Sequence, residues 1–305
     1  MSAAPQVRPG APFSVLPLPD GVEPLVLDVP VGPLTALRSV VPDGVPRRAA
    51  ALLVPGFTGS REDHRLLLPL LAERGIEAWT YSQRGQADSV APRGTGAYRR
   101  DDFTGDALDV AALVTATAGI TPGSLHLLGH SFGGTVAAAT AVRDTTPFAS
   151  LTMLCSGPHG WPGRKDAERD RLLAAAGLVD LWTLDNPALA RRLAEDPQAS
   201  ADLDDDTRFH RDRSAATSTD NLLGAIDVLA DVHDVTPHLA ATGLPALVAH
   251  GVDDAAWPQP WQRAMAERLG ARYAVIDDAG HLPNIENPAA TADLLADFWS
   301  TAGGR

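Results

Sequence analysis

Cysteine is nearly absent from this chain. Cys155 is the only one among 305 residues, so an intrachain disulfide is impossible and a zinc site built on several cysteines has nothing to draw on. It lies in the apolar run LTMLCS, where it reads as a small buried hydrophobe rather than a catalytic thiol. Lysine is as scarce: Lys165 is the sole lysine among 25 basic residues, a bias that reads as coding preference rather than function. The net charge of −13 would repel a polyanion, which sets nucleic-acid binding aside. No stretch approaches the roughly twenty apolar residues of a membrane span. The N-terminal MSAAPQVRPGAPFSVLPLPDG lacks the positive start and continuous apolar core of a secretory signal. A cytoplasmic protein with a small-molecule partner, and neither nucleic acid nor membrane as partner, is the expectation; the sequence leaves oligomeric state open.

What remains is ordinary globular material, 45% hydrophobic and 21% charged, in a chain long enough for one large α/β core with an insertion. Residues 1–24 are rich in proline and small residues, and read as an extended arm without chemistry. Leu25 to Val29 and Leu34 to Val41, separated by Pro30-Val-Gly-Pro33, read as a hairpin at a sheet edge. Buried strands are then expected at Ala49–Val54, Ala78–Tyr81, Leu125 onward, Ser150–Cys155, Leu244–Ala249 and Tyr273–Ile276. Helical patterns fall at Asp63–Arg74, Asp102–Ala118, from Thr135, at Gln259–Leu269 and at Ala289–Trp299. Strand alternating with helix predicts a mostly parallel sheet with helices on both faces. The alternation stops between residues 157 and 234, which are charged and helical in pattern and read as an inserted helical cap over the strand ends. The expected core is therefore 25–156 together with 235–305.

The chemistry gathers at Gly129, Ser131 and Gly133. This G-x-S-x-G places a serine on a tight turn between an apolar strand and a helix of small residues. A serine hydroxyl needs a base within hydrogen-bond reach, and that base needs an orienting acid. His281 follows the last expected strand and Asp254 the one before it, so both rise at the sheet edge that carries Ser131. The chain order Ser131, Asp254, His281 is that of a nucleophile-elbow hydrolase.

With these motifs in place, the chain resembles the α/β-hydrolase superfamily, in its capped branch of lipase-, esterase- and epoxide-hydrolase-like members, over roughly residues 25–300. Gly129-His-Ser-Phe-Gly-Gly134, Pro55-Gly-Phe57, Arg84-Gly85, Gly251-Val-Asp-Asp254 with Pro258, and Ala279-Gly-His281 with Glu286-Asn-Pro288 carry the resemblance. It implies Asp254, rather than the neighbouring Asp253, as the acid. It also implies an oxyanion hole made by the backbone N–H groups of Phe132 and Phe57. Two departures stand out: Pro55 occupies a position where the family often has histidine, and Ser82-Gln-Arg-Gly-Gln-Ala-Asp-Ser89 replaces the commoner Asp-x-Arg-Gly-His-Gly-x-Ser.

Other residues read more plainly. His130 is expected to turn its ring away from the reacting groups, and His126 and His250 to be strand-packing histidines. His210 belongs to a set of scattered histidines without ligand spacing. The acidic run Asp202–Asp206 reads as a helix start rather than a calcium loop. Trp161, Trp182, Phe209 and Trp257 fit either a pocket beneath the cap or core packing.

Serine at the elbow suits acyl transfer, where an aspartate would suit dehalogenation or epoxide opening. The reaction expected is hydrolysis of a carboxylic ester, thioester or lactone through an acyl-enzyme, with no metal or organic cofactor. Leu282 stands where carbon–carbon bond hydrolases of the superfamily typically carry tryptophan. That activity, a slow ligand-sensing role, and acyl transfer or cyclisation are the alternatives; fold and triad do not choose the substrate.

Overall fold

A computed structural model describes residues 4–160, 163, 165–175 and 180–302. The strands are β1 (Gln6–Pro9), β2 (Val22–Val29), β3 (Gly32–Ser39), β4 (Ala49–Val54), β5 (Ile76–Tyr81), β6 (Leu125–His130), β7 (Phe148–Leu154), β8 (Ala246–Gly251) and β9 (Arg272–Ile276). They form one sheet in the order β1-β2-β3-β5-β4-β6-β7-β8-β9. The first four are joined antiparallel, and from β5 onward every pairing is parallel. Central β6 and β7 are buried along their whole length, as a strand covered on both faces must be.

Helices α1 (Leu67–Glu73), α2 (Arg100–Thr117) and α3 (Phe132–Arg143) follow β4, β5 and β6. After β7 come α4 (Asp166–Ala174), α5 (Leu181–Asp185), α6 (Pro187–Glu195), α7 (Asp205–Ala216) and α8 (Thr219–Ala230). The chain closes with α9 (Thr236–Thr242), α10 (Gln259–Leu269), α11 (Pro283–Glu286) and α12 (Pro288–Ala302). One apolar cluster joins α1 and α12 to one sheet face through Leu67, Leu71, Leu295 and Trp299. A larger one joins α2, α3 and α10 to the other through Val110, Val136 and Met265. Each such fully buried leucine or valine contributes about 1.5–3 kcal/mol, so the two clusters fix the parallel strands and hence the loops at their carboxyl ends.

Between β7 and β8 there is no strand among the described residues. The acidic run at 202–206 is a helix start, since the Asp204 carboxylate accepts the Thr207 N–H at 2.7 Å as the cap of α7. Helix α8 is far more apolar than its surroundings and docks on the core, where Asn221 Nδ2 donates to the Arg84 carbonyl at 2.7 Å.

Several elements differ from expectation. The N-terminal segment is tied down: β1 pairs with β2, and the fully buried Arg61 donates to the Ala11 carbonyl at 2.8 Å. The hairpin of β2 and β3 is therefore one strand in from the edge, and β2 begins at Val22. The expected helix from Asp63 is broken into a 3-10 turn at Arg61–His64 and α1. An unexpected short helix, α9, precedes β8 and packs beside α10 and α3. Lys165 stands directly before α4, and Trp161 lies outside the described residues.

Candidate active site

Strand β6 ends in a tight turn that needs glycine on either side of Ser131. Ser131 adopts φ 54°, ψ −120°, a strained left-handed conformation for a side chain with a Cβ. A Cβ on Gly129 would run into the carbonyl of Gly133, and one on Gly133 into the carbonyl of Val54. Glycine at both positions thus lets α3 start immediately behind Ser131 and lets β4 close in beside it. The elbow is pinned by the Ser131 N–H, which donates to the Leu154 carbonyl at 2.9 Å.

The loops after β8 and β9 bring their side chains to this turn. Ser131 Oγ lies 2.9 Å from His281 Nε2, and His281 Nδ1 lies 2.9 Å from Asp254 Oδ1. Asp254 is buried and its neighbour Asp253 is exposed, which separates the two candidates by geometry. Burial drives the Asp254 carboxyl upward, but hydrogen bonds from His281, the Ala256 N–H and Gln262 outweigh it and hold the group below the usual carboxylate range. Gln262 Nε2 donates to Asp254 Oδ2 at 3.0 Å from the buried side of α10.

The expected oxyanion residues flank the serine. Phe132 is the first residue of α3, so its amide is among the donors a helix leaves without an intrahelical acceptor. Phe57 lies in the loop after β4, next to Gly56, whose Cβ position is 3.4 Å from the Ser131 Cβ. That loop is held by two glutamines: Gln86 Nε2 donates to the Gly56 carbonyl at 2.7 Å and Gln83 Nε2 to the Pro55 carbonyl at 3.0 Å. Gln86 is the residue that departs from the family's commoner histidine, and it supplies a donor there all the same. Arg84 forms a two-bond pair with Asp106 of α2, 2.6 Å at each end, which fixes the same loop.

His130 turns out to serve the site from behind. Its ring is buried, and Nε2 donates to the His281 carbonyl at 2.7 Å. Burial, reinforced by His281, lowers its pKa to about 4, so at neutral pH it is an uncharged brace for the histidine loop. The ring was expected to turn away from the reacting groups; instead it lies 5.1 Å from the His281 ring and borders the cavity at Ser131, a link that was not visible along the chain because it joins residues 151 apart. His126 and His250 are packing residues, as expected: His126 stacks on Trp299 at 5.3 Å and bonds Ser150 at 2.8 Å, and His250 bonds the Tyr273 hydroxyl at 2.6 Å.

Cys155 is buried under the histidine loop, its Sγ 3.8 Å from the Gly280 carbonyl. Burial, then Asp254, pushes its thiol well up, which suits an inert packing role. Among the described residues His130, Cys155 and His281 could in principle ligate a metal, their ligand atoms lying within 4.8 Å of one another. Both nitrogens of His281 and one of His130 are already in hydrogen bonds.

A cavity of about 260 Å³ opens on Ser131 and His281. Phe57, Trp257, Leu229 and Ile285 give it apolar walls, and Asp63, Lys165, His210 and Arg213 give it polar ones. A second cavity of about 310 Å³ adjoins it, shares Phe57, Lys165, His210 and Arg213, and adds Trp182. Trp257 and Trp182 are thus wall residues, whereas Phe209 is buried and packs against Phe13 at 6.1 Å. Lys165, just before α4, and His210 and Arg213 of α7 reach the site from the segment between β7 and β8 and left no pattern in the sequence.

A strand-ordered sheet of this kind with a serine on the turn after its central strand defines a class. The family model described as the alpha/beta hydrolase family matches residues 51–294, and the chain belongs to that family. It is an α/β-fold hydrolase. A protein of Variovorax paradoxus (strain S110) provisionally named carbamate hydrolase RutD is 31% identical over 255 residues, 82% of this chain and 91% of its own length. A 3-oxoadipate enol-lactonase of Acinetobacter baylyi is 24% identical over 83% of this chain and 90% of its own. A pimeloyl-[acyl-carrier protein] methyl ester esterase of Aeromonas hydrophila is 28% identical over 61% and 74%. Among solved structures, an esterase from Thermogutta terrifontis superposes with a TM-score of 0.69 at 20% identity, covering 92% of this chain and 99% of that one. The fold is therefore shared well beyond recognisable sequence.

Proposed function

We propose that the protein is a serine hydrolase that cleaves a carboxylic ester, thioester or lactone through an acyl-enzyme on Ser131. One observation carries the reading: the unbroken chain Asp254–His281–Ser131, with 2.9 Å at each link, ends at a cavity lined by Ser131 and His281. Ser131 Oγ attacks the carbonyl carbon while its proton passes to His281 Nε2, and Asp254 holds the resulting imidazolium in place. The oxyanion is received by the amides of Phe57 and Phe132. His281 then gives the proton to the departing alcohol or thiol, and water, deprotonated by the same histidine, releases the acid. Residues 157–234 act as the cap, the flanking 25–156 and 235–305 as the core. The cap reading is supported by Lys165, His210, Arg213 and Leu229, which line the cavity from that segment. The relatives named for methyl-ester and enol-lactone hydrolysis favour oxygen esters and lactones.

The test is multiple-turnover hydrolysis of p-nitrophenyl esters from acetyl to long acyl chains. Activity should peak at one chain length, and fall by roughly 10³-fold or more in Ser131→Ala and in His281→Ala. Turnover that survives either substitution, or a single-turnover burst alone, would overturn the assignment.

A further inference from the structure

Trp257 is the bulkiest side chain on the wall of the cavity at Ser131, and only 5% of it is exposed. It stands on the loop of the catalytic acid. Ala256, whose N–H donates to Asp254 Oδ1 at 2.9 Å, precedes it, and Pro258, the N-cap of α10, follows. Its carbonyl accepts from Gln262 Nε2 at 3.4 Å. The indole Nε1 donates to the His159 carbonyl at 3.1 Å, and the His159 ring packs in turn on Trp261 of α10 at 4.8 Å. Backbone and ring are both tied.

The indole rests on the stretch of chain that leaves β7. A Cβ on Gly157 would overlap its Cδ1 and Nε1, so glycine there is what lets the ring lie so deep. That stretch is itself pinned. The Pro158 carbonyl accepts the Val235 N–H at 3.0 Å, and the Gly160 N–H donates to the Asp231 carbonyl at 2.7 Å. A Cβ on Gly160 would run into the carbonyl of Leu229, and Leu229 lines the same cavity. The ring thus has packed backbone behind it and the cavity in front. That cavity, at about 260 Å³, is smaller than the roughly 300–1,000 Å³ of pockets that hold drug-sized ligands, so the place of one indole weighs heavily on what fits.

Taking the ester-hydrolase reading as its basis, we propose that Trp257, clamped by Gly157, is the end wall that sets the length limit of the substrate. The substrate is then an ester with a short apolar arm that ends against the indole and Leu229. A chain too long by a methylene or two has to displace a ring with no room to retreat, and overpacking of that kind is costly.

The test compares kcat/KM for long and short substrates within each variant, so that the amount of active enzyme and the state of the triad cancel. One series is p-nitrophenyl acetate, butanoate and octanoate; the other is methyl, butyl and octyl acetate, so that either arm of the ester can be the one that meets the indole. Trp257→Leu opens the wall and should raise the octanoate-to-butanoate or the octyl-to-butyl ratio about tenfold or more, the discrimination a hydrophobic pocket exerts through chain length. Gly157→Ala pushes the ring toward the cavity and should lower the butanoate-to-acetate or butyl-to-methyl ratio in that same series by about tenfold. Combined with Trp257→Leu, it should no longer do so, because touching residues couple. Ratios that Trp257→Leu leaves unchanged in both series would overturn the end wall, even where Gly157→Ala does not fold. A Gly157→Ala effect as strong without the indole as with it would overturn the clamp. Hydrolysis of p-nitrophenyl acetate by the native chain, and its loss in Ser131→Ala, reads the serine chemistry separately, so the failure of either idea is recognised on its own.

Discussion

Gln262 shows how a single side chain can matter to a site it never enters. It stands on the buried stripe of α10 with Met265 and Ala266, and its amide supplies Asp254 Oδ2 with a partner at 3.0 Å. Gln262→Leu keeps the volume and removes the donor, so Asp254 is held less firmly and orients His281 less well. We expect kcat on a p-nitrophenyl ester to fall about tenfold with KM unchanged, the loss of one hydrogen bond to a charged group. A fall in KM-dependent binding alone, or no change, would contradict this positioning role. At this scale the sequence was legible where a role is set by near neighbours. Ser131 is bracketed by glycines and His281 follows Gly280, so their positions can be read from a few adjacent letters. Gln262, His130 and Gln86 act through contacts 8 to 151 residues away along the chain, and nothing in their local pattern announces them beyond a polar residue at a buried position.

The elements that run through the core were the readable ones, because a strand covered on both faces must be a continuous apolar run. The N-terminal segment was not readable, since β1 is four residues long, ends in proline and is mostly exposed. Its hold comes from distant partners. Beyond β1 it crosses to α7: the Phe13 ring meets Phe209 edge-on at 6.1 Å, and Ser14 Oγ donates to Asp212 Oδ2 at 2.7 Å. Arg213 stacks on the same Phe209 at 5.0 Å. The segment thus works as a strap across α7, and α7 carries His210 and Arg213 to the cavity. Phe13→Ala should loosen that helix: hydrogen exchange in residues 205–216 should quicken while β6 and α3 stay protected. Uniform exchange in native and variant proteins would show that α7 is held without the strap.

Taken as a whole, the molecule buries imidazoles that it cannot afford to charge. His64, inside the 3-10 turn and bonded to Thr80 at 2.9 Å, is lowered by burial to about 3. His126 is lowered to about 4 by burial, and His130 to about 4 by burial and by His281. In the unfolded chain each titrates near the ordinary value of about 6.5. The sign follows: below that value the unfolded state binds protons that the folded state refuses, so stability falls as pH drops from about 6.5 through the folded values of about 4 and 3. Above it these groups are neutral in both states and contribute no slope. Asp254, held below the usual carboxylate range, adds its own loss only at lower pH, beneath the ordinary aspartate value of about 3.9. Denaturant unfolding at a series of pH values should therefore give a plateau above pH 7 and a decline already under way between about pH 6 and 5, well above the carboxylate range. His126→Gln, remote from the cavity and able to keep a bond to Ser150, should flatten that decline by about one proton per molecule. A stability that stays level until the carboxylates titrate would mean that the buried imidazoles accept their protons in the folded state.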